Sequence, residues 1–101
     1  MDFTATVLLA SIDHTLASVR AALAAAADPE QFPEATNELA GMAGSNIAVL
    51  THSALTNEWQ GIPEGVFDAM RQAQTAAQDN DLEEVERVLA GAREQIGGRS
   101  A

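Results

Sequence analysis

Two histidines, His14 and His52, are the side chains of this chain whose ordinary titration lies near neutral pH. They are the first place to look for metal or proton-transfer chemistry. A metal site on a helix needs further ligands at helical spacing, and neither histidine has them. Position 11 is Ser and position 49 is Val, so the Glu-x-x-His pattern of di-iron bundles is absent, as is any His-x-x-x-His pair. If the flanking segments pair antiparallel about a turn near Glu30, His14 faces about Ile47. His52 then lies roughly 7 Å further along the axis, at about 1.5 Å of rise per residue. Both read as solvent-facing or hydrogen-bonded. Asp79, Asp81 and Glu83 alternate like the start of a calcium loop, but the sixth position is Glu84 instead of Gly and the twelfth is Ala90. Ser11, Ser18, Ser45 and Ser53 lack a nucleophile-elbow sequence, and Gly41 and Gly44 do not form a phosphate-cradling Gly-x-Gly-x-x-Gly loop. No catalytic, cofactor or metal residues are assigned, and the chain reads as non-enzymatic.

The elements that would have to position any site are helices. Leu9, Ile12, Leu16, Val19 and Leu23 step by alternating three and four residues, as do Leu82, Val85, Leu89, Ala92 and Ile96. That spacing lines one apolar stripe along one side of a helix. Four such segments are expected, at about 4–27, 34–57, 63–78 and 81–96, with a frayed tail over 97–101. Thr4 or Asp2 caps the first, and Asp28-Pro29 ends it, because a residue before proline is pushed out of the helical region. The second uses Leu39, Met42, Ala43, Ile47, Leu50 and Ala54. It also carries Ala40, Gly44 and Ala48 four apart, a row of small residues suited to close contact. Two interior glycines cost it about 1 kcal/mol each against Ala, which would suit a break with Ser45 capping a new helix; a continuous but weakened helix is the expectation. The third uses Val66, Met70, Ala73 and Ala77, after a turn containing Trp59 and Gly61, with Pro63 placed for its first turn. Asp81 and Glu84 have the spacing of a capping box at the start of the fourth. Short turns make this an all-α protein, a small up-down four-helix bundle in a single domain over 1–101.

Composition narrows the function classes. The 101 residues hold 15 acidic residues against 5 Arg, with no Lys and a formal net charge of −10. Nucleic acid and anionic membrane surfaces are disfavoured on that balance. The lack of Lys beside abundant Ala, Arg and Gly fits a GC-rich bacterial genome. No Cys is present, which excludes disulfides and thiolate chemistry. The first ten residues have no positive n-region, and no uninterrupted apolar run nears the roughly 20 residues of a membrane span. A cytoplasmic location follows as the expectation, or export by a route without a cleaved leader. Ala supplies 21 of the residues, so large core side chains are few. Such a core needs close helix approach or a second chain to complete it.

Trp59, Gln60 and Gly61 stand at an inter-helix turn, with Phe67 eight residues after the Trp. This resembles the Trp-x-Gly helical-hairpin proteins, about a hundred residues long, that type VII secretion systems export. Length, acidity and the absence of Cys are also similar. The resemblance implies that Trp59 and Gly61 are bend residues and that the helices pair with a second, related chain. The chain differs in its breaks at Asp28-Pro29 and Asp79–Asp81, and without Tyr it lacks that family's C-terminal Tyr-x-x-x-acid signal.

These residues together point to a protein–protein interaction or accessory module. The partner is a second copy, a small helical protein or a basic protein, with no cofactor. The candidate surface is Ala40, Gly44 and Ala48 with Trp59, Gly61 and Phe67, and Gly44→Leu is expected to disrupt association or folding. The alternative is a bundle whose interior binds a small apolar ligand between Met42, Phe67 and Met70.

Overall fold

The computed structural model describes residues 5–28, 30, 35–59 and 61–97, without the side chains of 35–37. Four helices follow in order: α1 (Ala5–Ala27), α2 (Ala35–Thr56), α3 (Glu64–Gln78) and α4 (Leu82–Gly97). The expected starts at Thr4 and Glu34, most of the Asp28–Pro33 turn and the tail beyond Gly97 lie outside the described residues. Gly97 itself is still helical.

The helices form a four-membered ring in cross-section. α1 packs on α2 and α4, and α3 packs on the same two, with no close backbone approach between α1 and α3 or between α2 and α4 among the described residues. Side-chain pairs fix the registers. Asp13 and Arg20 of α1 pair with Arg93 and Glu86 of α4 in reversed order, so these helices run antiparallel. Asn46 Nδ2 donates to Ser18 Oγ at 2.9 Å, setting position 18 opposite 46. That is three residues further along α2 than a turn centred at Glu30 would put it.

The core holds Leu8, Ile12, Leu16 and Val19 of α1; Ala43, Ile47, Leu50 and Ala54 of α2; Val66, Met70 and Ala73 of α3; and Val85, Leu89, Ala92 and Ile96 of α4. Two expectations are corrected. Leu8, not Leu9, is the fully buried leucine of the first turn of α1, and Leu9 is half-buried. Met42 is 58% exposed. The stripe 43-47-50-54 already fills the inward side of α2, and position 42 lies about 100° round the helix from 43. The buried hydroxyls of Thr15 and Thr51 donate to Ser11 O and Ile47 O, both at 2.9 Å, so each is satisfied within its own helix.

α2 runs unbroken through Gly41 and Gly44. A Cβ at Gly44 would meet nothing within 4 Å. The folded chain therefore has room for Gly44→Leu. With leucine the better helix former, thermal melts should show a monomer stabilised by roughly 0.5–1 kcal/mol. Loss of the fold in that variant would contradict the placement of α2.

The α3–α4 turn shows how local chemistry sets the chain direction. Asn80 takes a left-handed φ of 58°. Its N–H reaches Ala77 O at 3.1 Å and that of Asp81 reaches Ala76 O at 2.8 Å, the bond pair of a Schellman motif. Asp81 then caps α4, its Oδ1 accepting from the Glu84 N–H at 3.2 Å. Asp81→Ala should cost about 1 kcal/mol, read as a melting temperature lower by about 4–8 °C.

By averaged composition α1 is long and apolar enough to cross a membrane, although Asp13 and Arg20 interrupt it. This corrects the reading from uninterrupted runs. Its large apolar residues Leu8, Ile12, Leu16 and Val19 are the ones buried in the bundle.

Candidate interaction surface

The six candidate interaction residues fall into two groups. Ala40, Gly44 and Ala48 are all exposed on α2, so none is buried against a neighbouring helix. Trp59, Gly61 and Phe67 belong to the α2–α3 bend and the start of α3. Ala40 lies roughly 24 Å of helix from Thr56, the last residue before that bend, so the six do not make one surface. Trp59 is half-buried against the core, and its Nε1–H donates to Ser53 O at 3.3 Å. It ties the bend to the end of α2. Gly61 has φ +73°, a conformation that glycine adopts without the Cβ penalty. Phe67 is half-buried on α3.

The outward side of α2 has a character that the small-residue spacing alone does not reveal. From Leu39 to Asn57 there is no Asp, Glu, Lys or Arg, in a chain with 20 of them. Val49, 69% exposed, stands on this side with Met42. A groove of about 930 Å³ runs along the α2–α3 side, bordered by Gly44, Ala48, His52, Gln74, Ala77 and Gln78. A second, of about 520 Å³, runs along the α1–α2 side, bordered by Val7, Ala10, His14, Asn46 and Val49. Val49 forms part of both, and neither is lined by Asp, Glu, Lys or Arg. The two charges of α1, Asp13 and Arg20, are turned to α4, which leaves the α1–α2 side neutral.

The charges concentrate on α3 and α4. Arg71 pairs with Asp68 at 2.9 Å, and Arg87 Nε with Glu84 at 3.0 Å. The hydrogen bond from Arg87 holds the Glu84 carboxyl below the usual carboxylate range and raises the guanidinium correspondingly. A depressed carboxyl stabilises the fold above its unfolded value and loses that contribution as the pH falls. Exposed pairs of this kind contribute little.

The histidines are not brought together. With position 18 opposite 46, His14 stands opposite about residue 50, so the axial offset to His52 shrinks to roughly 3 Å. The two nonetheless border different grooves. Met70 is enclosed at 0% exposure while Met42 points outward, so they do not line a common space. Sequence reasoning passes over Val49 as an outward apolar residue. The signal that would find it is the 19-residue stretch without charge, Leu39 to Asn57.

Comparison with family models, curated proteins and solved structures finds no match to the chain.

Proposed function

We propose that this chain is a non-enzymatic protein–protein interaction module whose docking surface is the outward side of α2. The observation that supports this reading is the charge-free stretch Leu39–Asn57 on an otherwise acidic protein, with Met42 and Val49 exposed upon it. Docking strips water from a surface, and stripping it from charges is costly. A face of Gly, Ala, Ser, Met and Val loses little hydration and gains apolar contact. The small residues let a partner helix approach closely, and the flanking grooves give its side chains somewhere to lie.

A photoreactive amino acid placed at Val49, with a control at exposed Gln72 on α3, tests this in the source cell. Protein adducts from position 49 and few from position 72 are expected. Equal yields, or none at 49, would overturn the reading.

The wider groove supports a second reading, a small apolar ligand held between α2 and α3, since about 930 Å³ falls within the range of ligand sites. Mass spectrometry of the denatured, freshly purified protein would reveal such a ligand.

A further inference from the structure

We infer that the occupant of the α2 face is a second copy of this chain, packed antiparallel across a two-fold axis at Ser45. This rests on the interaction reading above and specifies its partner. At about 100° per residue, positions 38, 41, 42, 45, 48, 49 and 52 lie within one face of roughly 120°. All seven are exposed. An antiparallel pair centred on Ser45 sets each residue against one at about the opposite axial height on the same side of the seam in the other copy. Met42 meets Val49 on one side of the seam and Gly41 meets Ala48 on the other, so the exposed apolar side chains pack on each other while the small residues let the helices approach. A Cβ built on Gly41 would meet nothing within 4 Å, so no other part of the chain covers that side of the seam. Glu38 meets His52, an acidic group against one that becomes cationic on protonation.

A partner of unrelated sequence would not require Met42 and Val49 to share one side of the seam and Gly41 and Ala48 the other. A two-fold interface does, because residue i touches j while j touches i. Charge favours the same face. Two chains of net charge −10 repel over most approaches, and the α2 side is where charged residues are absent over 19 consecutive positions. Area is sufficient. The face is about 27 Å long from Glu38 to Thr56 and two helices, roughly 20 Å, wide, so each copy buries at least about 540 Å². The total of roughly 1,100 Å² clears what a weak specific dimer requires.

The absence of cysteine makes the test direct. Ser45→Cys places a thiol on the axis, where facing helices bring Cα atoms within disulfide reach. Under mild oxidation of the full chain it should give covalent dimer at least about tenfold faster than a Gln72→Cys control, with unchanged circular dichroism. Spin labels at single cysteines should be closest at 45, and separated by roughly 20 Å along the helix axis at both 38 and 52. Equal oxidation rates at 45 and 72, or equally short distances at 38, 45 and 52, would overturn the antiparallel pair. Photoadducts at Val49 to a different protein, with no fast disulfide dimer of Ser45→Cys, would overturn the second copy and leave the interaction surface standing.

Discussion

Val49→Glu is expected to lower the self-association constant by at least about 100-fold while shifting the monomer's unfolding free energy by less than about 0.5 kcal/mol. The two effects separate because of where the residue sits. Val49 is 69% exposed and belongs to none of the core contacts, so the isolated bundle hardly registers its loss. Glutamate is also a slightly better helix former than valine, which works against any destabilisation. In the pair, the same substitution places a carboxylate against Met42 of the other copy, where there is no cation. Two-fold symmetry repeats the penalty, so each dimer carries two unpaired charges. Gln72→Glu adds the same charge on an exposed α3 position and should change neither quantity. Sedimentation for the mass and thermal melts for the stability check both halves. An unfolded Val49→Glu chain would contradict its outward placement, and undiminished association would contradict its place in the interface.

Leu89→Ala should cost about 3–4 kcal/mol and lower the melting temperature by roughly 12–32 °C. Leu89 is fully buried near the middle of α4. Leucine-to-alanine changes in cores span about 2–5 kcal/mol, depending on how far the surroundings collapse into the space. Here the other core members include Ala43, Ala54, Ala69, Ala73 and Ala92. Short side chains cannot swing into a vacated volume, so relaxation is limited and the low end of the range does not apply. Against the roughly 5–15 kcal/mol that holds an ordinary domain together, this is a large fraction. A chemical denaturation series would measure it; a loss below about 1 kcal/mol would mean that the helices close over the gap.

Where a helix carries large and small residues on clearly different sides, its buried face is legible in the sequence. On α4 the stripe members Val85, Leu89, Ala92 and Ile96 are buried together with Val88, Leu82 is half-buried, and charged residues occupy the other side. On α1 the phase of the first turn is not, because Leu8 and Leu9 are the same residue type and only packing distinguishes them. α2 is the hardest. Its two glycines cost about 1 kcal/mol each against alanine, which the packing of Ala43, Ile47, Leu50 and Ala54 exceeds, so the helix continues. Met42 reads as inward because apolar residues at helical spacing carry no mark of which chain they pack against. The Trp59–Gly61 bend is visible as a turn, but its tie to Ser53 needs the three-dimensional path. The α1–α2 register depends on the Asn46–Ser18 bond, which spacing does not encode.

The most direct measurement is the solution mass of the wild-type chain and of Val49→Glu across a concentration series, by sedimentation equilibrium. The wild type should pass from monomer toward dimer, with a midpoint of order 10 µM for an interface of this size, and the variant should stay monomeric throughout. A wild type that remains monomeric to millimolar concentration, or a variant that dimerises equally well, would contradict a second copy on the α2 face.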